Sequence, residues 1–130
     1  MSHALPLFVA GFTYSEDNEE SQTIGLADSP TETKKYILIQ KVKRPTESDQ
    51  RLGLTGIYLE VNDQIHSSYR GVQCILLFTD RLEVTLFDEM AESMRLPIHF
   101  SIEFSSDLLG LSEFADSLLS LDAAIVHDKR

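Results

Sequence analysis

The pattern of apolar and polar positions changes period several times along the chain. Ile98, Phe100, Ile102 and Phe104 alternate with His99, Ser101 and Glu103. Side chains two apart share one face of a strand, so this spacing predicts a strand with four large residues on a buried face and a wet opposite face. Residues 72–78 form an apolar run, and Leu82, Val84 and Leu86 then alternate with Glu83 and Thr85, the two runs being joined through Thr79, Asp80 and Arg81. That is the strongest hairpin signal in the chain. From 36 to 42 apolar residues occur on both parities, Tyr36, Leu38 and Val42 against Ile37 and Ile39, which predicts a central strand covered on both sides. Residues 57–61 alternate Ile57, Leu59 and Val61 with Tyr58 and Glu60, and residues 5–14 read as a first strand.

Between these runs the chain is polar. Residues 15–33 contain few apolar side chains beyond Ile24, Leu26 and Ala27, with turn signals at Gly25 and at Ser29 followed by Pro30. The segment reads as a long loop docked by its apolar triplet. Residues 44–49 break the chain before the next strand, and residues 66–71 read as an irregular connector after the turn residues Asn62, Asp63 and Gln64. Asp88 is placed to cap a short helix that runs through Arg95 and stops before Pro97. Ser105, Ser106 and Asp107 offer N-caps for an amphipathic helix carrying Leu108, Leu111, Ala115, Leu118 and Leu119. A helix of that kind covers one face of a sheet. The expected fold is a single α+β domain over residues 1–130: a mostly antiparallel sheet of about six strands, one short helix and a C-terminal amphipathic helix on one sheet face.

The 130 residues fit one domain, and 42% hydrophobic content supplies a core. The 21 acidic and 11 basic side chains give a net charge of -10. A field of this sign opposes nucleic acid and anionic lipid, so neither is an expected partner. The charge is uneven: residues 82–128 hold ten acids and one arginine, whereas 34–44 hold Lys34, Lys35, Lys41, Lys43 and Arg44 with no acid between them. The N-terminal Met1, Ser2 and His3 provide no basic leader, and the first apolar stretch is too short to span a bilayer, so a cytoplasmic chain is expected.

Little in the sequence points to catalysis. The lone Cys74 sits in an apolar run and reads as core; His3, His66, His99 and His127 are scattered, with no metal-ligand spacing, so neither metal nor cofactor is expected. No nucleophile elbow or phosphate loop is present, and no catalytic residue is assigned. Glu60 and Glu83 would form a carboxylate pair across neighbouring strands, although as wet-face acids they need no such role. Side chains suited to recognition are Tyr58 and Glu60 on the solvent parity and His66, Tyr69 and Arg70 in the connector, which together suggest one patch.

The strings Tyr36-Ile37-Leu38-Ile39-Gln40, Leu52-Gly53, Ile57-Tyr58-Leu59-Glu60-Val61-Asn62-Asp63-Gln64 and Ser67-Ser68-Tyr69-Arg70-Gly71-Val72 resemble immunity protein family ten of bacterial polymorphic toxin systems. The resemblance continues through the hairpin and, more weakly, to Phe104, so it spans 36–104; the N-terminal third shows none. The family pattern falls on Tyr58, Glu60, Asn62 and Gln64, and then on Ser67, Tyr69 and Gly71, with Arg70 standing where the pattern has its first glycine. The resemblance implies a protein that binds a cognate toxin domain, basic in charge if it acts on nucleic acid, and neutralises it by occlusion without catalysis. Partner contact is then expected at Tyr58, Glu60, Asn62, Gln64, His66, Tyr69 and Arg70. Two alternatives remain: a non-catalytic binding or homo-oligomeric assembly module, and a small hydrolase using His66.

Overall fold

In the computed structural model, which describes residues 4–130, the first apolar run is two strands rather than one. Met1, Ser2 and His3, and the leader argument that rests on them, lie outside the described residues. β1 (Leu5–Ala10) and β2 (Phe12–Asp17) are separated by Gly11, where the chain passes from one sheet into another. The Gly11 amide donates to the Ala27 carbonyl at 2.8 Å, and a Cβ at position 11 would lie 2.7 Å from the Asp28 carbonyl oxygen. Only glycine permits so close a backbone approach.

The expected loop at 15–33 is mostly strand. β2 pairs in antiparallel with β3 (Ser21–Ala27), and Asn18 Oδ1 closes the hairpin by accepting from the amides of Glu20 and Ser21 at 2.8 and 3.0 Å. The triplet Ile24, Leu26 and Ala27 is buried, as expected. The segment reads as polar because Thr23 and Gly25 face the other side of the sheet and Gln22 is buried through hydrogen bonds to Ser117 and Ser120. β4 (Tyr36–Val42) is central in its sheet, as expected, but is covered on one side rather than both: Ile37 and Ile39 are buried, whereas Tyr36, Leu38 and Gln40 on the other parity are only half-buried. The break at 44–49 includes the start of α1 (Glu47–Arg51), opened by a reciprocal capping box between Thr46 and Asp49. β5 (Ile57–Val61) follows, and the expected irregular connector is strand β6 (Asp63–Tyr69), paired to β5 across a bulge.

The hairpin forms as expected from β7 (Val72–Leu77) and β8 (Arg81–Leu86). α2 (Asp88–Met94) starts after Phe87 without a side-chain cap, so Asp88 contributes charge in the first turn, where the helix dipole favours it, rather than a cap. β9 (His99–Phe104) pairs with β8 and, in parallel, with β1. Of its four alternating residues Phe100 and Ile102 are buried, Phe104 is half-buried and Ile98 lies exposed before the strand; Ser101 on the expected wet face is buried between β8 and β1. α3 (Leu111–Leu119) begins after Gly110 at φ 78°, not at the serines and Asp107, and buries Phe114, Ala115 and Leu118. β10 (Val126–Asp128) adds a parallel edge beside β7.

The chain is α+β, mostly antiparallel, with a C-terminal helix. Its strands are divided between two five-stranded sheets, ordered β1-β9-β8-β7-β10 and β2-β3-β4-β5-β6, rather than gathered in one. One apolar cluster joins them, with Ile39 and Leu59 from the second sheet, Leu82 and Phe100 from the first, and Met94 and Phe114 from the helices. α3 packs against β2, β3 and β10, and α2 against β6. Because both sheets share the cluster, Phe100→Ala and Ile39→Ala are each expected to cost about 2–5 kcal/mol. Urea unfolding should show both losses in one shared transition; two transitions, each moved by only one variant, would refute a single folding unit.

Candidate interaction site

The buried parity of the second sheet is fixed by Ile24, Leu26, Ile37, Ile39, Leu59 and Val61, so the residues between them point outward. Strand register arranges these in rows. Glu16, Thr23, Gln40, Tyr58 and Tyr69 form one; Tyr14, Gly25, Leu38, Glu60 and Ser67 form the next; Phe12, Ala27 and Tyr36 form a third. Both helices that pack on this sheet take its other side. Gln22 and Thr13, on the inward parity, bond Ser117 and the Leu109 carbonyl, while Ser68 and His66 meet Met94. The outward face therefore stays open, and all four tyrosines of the chain stand on it.

Glu60 lies at the centre of this face. The Tyr36 hydroxyl donates to its Oε2 and the Tyr58 hydroxyl to its Oε1 at 2.5 Å. Tyr58 also packs on its cross-strand neighbour Tyr69, with ring centroids 5.0 Å apart at 50°. At the far edge Tyr14 donates to Glu16. Burial, and next the bond to Glu60, push the Tyr36 and Tyr58 hydroxyls above the usual tyrosine range; at Tyr14 the bond to Glu16 is the leading cause. Between Tyr14 and Tyr36 the missing side chain of Gly25 leaves a mainly apolar groove of about 160 Å³, lined also by Phe12, Leu38 and Thr33.

The seven expected contact residues do not form one patch. Tyr58, Glu60 and Tyr69 share the open face. Asn62, at φ 64°, accepts from the Tyr36 amide at 2.8 Å and donates its own amide to the Tyr36 carbonyl at 3.0 Å, so it positions Tyr36. Gln64 is exposed in the bulged start of β6, its carbonyl accepting from Ser67. His66 points to the other side of β6, where Nδ1 donates to the Met94 carbonyl at 2.7 Å at the end of α2. That nitrogen is held by a main-chain carbonyl and not by Asp63. Arg70 turns the corner at φ 59°, a left-handed conformation that favours glycine, and its guanidinium reaches back to Thr55. Tyr14, Tyr36 and Leu38 belong to the face and were not among the expected residues, although the opposite parity of Tyr36 and Leu38 to Ile37 and Ile39 carried that signal.

Glu60 and Glu83 are not a pair. They lie on different sheets, and each is nearly buried, at 9% and 4% exposure, rather than on a wet face. Cys74 is half-buried, not core. Among the described residues no three His, Cys, Asp or Glu side chains gather as a metal site, and no helix is long and apolar enough to cross a membrane.

Fold and site thus define an α+β protein of two sheets, one of which presents an open face carrying every tyrosine. The sequence profile of Immunity protein 10 matches residues 9–111, and the chain belongs to that family, which gives it an immunity-type role. The match begins at residue 9 and so includes β2 and β3, where no resemblance was apparent. No curated protein and no solved structure matches the chain.

The raised tyrosines set a pH dependence. The folded state holds these hydroxyl protons more tightly than the unfolded chain, which releases them near its ordinary value of about 10. Their contribution to stability is therefore complete below about pH 10 and declines as pH rises above it. Tyr36→Phe should shrink the loss of stability between about pH 9 and pH 11, measured by denaturant unfolding; an unchanged slope would show that Tyr36 is not so held.

Proposed function

We propose that this chain binds a cognate bacterial toxin domain in the cytoplasm of the producing cell and neutralises it by occlusion, without catalysis. The observation that carries the reading is the placement of all four tyrosines on one open sheet face in a member of an immunity family. Tyrosine offers large, rigid contact area with a polar tip at low entropy cost, which is why it anchors binding surfaces. The shape-specific contact is the Tyr58, Glu60 and Tyr69 region, extended to Tyr36 and Leu38. The acidic excess of residues 82–128 acts at longer range, raising the encounter rate with a basic toxin.

The test is co-purification with the product of the neighbouring gene and rescue of cells that express it. No complex and no rescue would overturn the reading. Tyr69→Ala is expected to weaken the complex by about 1–2 kcal/mol, roughly five- to thirtyfold in Kd, chiefly through faster dissociation. His66→Ala, on the covered side of β6, should lower stability and leave Kd within about twofold. Neutralising Glu113 and Asp116 on α3 should slow association at low salt and leave dissociation unchanged. Homo-oligomeric assembly predicts instead that the free chain self-associates, which light scattering at high concentration decides.

A further inference from the structure

The two nearly buried glutamates have different company. Glu83 lies beside Arg81 Nε at 2.7 Å and His99 Nε2 at 3.0 Å. Glu60 receives the hydroxyls of two neutral tyrosines and, among the described residues, forms no ion pair with any lysine, arginine or histidine. A carboxylate taken from water without an opposite charge is costly, and neutral donors offset only part of that cost. The negative charge at the centre of the open face is therefore left for a cation from outside the chain.

The geometry narrows the cation. An ionised carboxylate offers about four lone-pair positions, of which the tyrosines occupy about half. The remaining positions, one set on each oxygen, suit a planar fork that bonds both at once, and the flanking tyrosine rings suit a flat cation that stacks. An ammonium is a more strongly hydrated point charge and matches neither feature as well. On the same row, two strand spacings or about 10 Å away, the groove over Gly25 has room for an apolar side chain beside the cation.

We propose that Glu60, framed by Tyr36, Tyr58 and Tyr69, is the receptor for an arginine side chain presented by the toxin. The proposal rests on the reading of this face as the toxin contact. Full-length chain is titrated with N-acetyl-arginine amide and, separately, N-acetyl-lysine amide, following tyrosine ring resonances by NMR. Saturable shifts centred on Tyr36 and Tyr58, several-fold tighter for arginine, are expected. Glu60→Gln should weaken them about tenfold, whereas Glu16→Gln, which removes a charge from the edge of the same face, should not. Tyr58→Phe, which keeps the ring and removes one hydroxyl from Glu60, gives a second variant should Glu60→Gln fold poorly; it is expected to change the arginine affinity read at the Tyr36 ring several-fold, and an unchanged affinity would overturn the proposal.

Equal response to both amides, equal loss in Glu16→Gln, or a face already covered by a second copy would overturn the proposal. In the complex, wild-type and Glu60→Gln chains that hold the toxin equally would overturn the arginine receptor and leave toxin binding standing. A wild-type chain that holds no toxin overturns the toxin reading itself, whatever the amide titration shows.

Discussion

At Gly11 the backbone crosses from one sheet to the other, hydrogen-bonded to Ala27 and pressed against the Asp28 carbonyl. That crossing places β1 beside β9 and β2 beside β3, so the sheets are covalently continuous where they begin to share a core. Everything that orients the open face follows. Once β2 pairs with β3, the register through β4 and β5 is set by a single buried parity, and a slip of one residue would exchange the buried isoleucines for the tyrosines. The helices then take the inner side: α3 is tied to Gln22 and Thr13, and α2 is held by His66 and Ser68.

The open face is not simply surface left over. Its tyrosines are locked in place by one another and by carboxylates, with Tyr36 fixed at both ends, its backbone by Asn62 and its hydroxyl by Glu60. Side chains ordered before binding lose less freedom on binding, which favours the kind of contact an inhibitor needs. The acidic helix α3 lies on the inner side of the same sheet and is physically separate from this row of rings, so long-range attraction and close recognition belong to different parts of the chain.

Arg70 stands at a left-handed position where the family pattern has a glycine. It makes the turn between β6 and β7 at φ 59°, and the guanidinium anchors on Thr55 while the side chain packs over Gly56. Local bonds of this sort offset the strain that a non-glycine residue incurs at positive φ.

The hairpin of β7 and β8, the central place of β4 and the α+β class were legible in the sequence, because they rest on runs of large apolar residues, continuous in β4 and β7 and alternating in β8, followed by helical spacing near the C-terminus. So were three members of the open face, Tyr58, Glu60 and Tyr69. β3 and β6 were not legible, although each pairs with strands next to it in sequence: the outward residues of β3, Thr23 and Gly25, are polar or small, and the inward residues of β6, His66 and Ser68, are polar, so neither shows a clean apolar alternation. Only the tertiary structure decided that His66 faces away from Tyr69, that Glu60 and Glu83 lie on different sheets, and that Tyr14 and Tyr36 join Tyr58. Alternation fixes which residues share a face of one strand; which strands lie side by side, and which face the helices cover, depends on packing that no local pattern encodes.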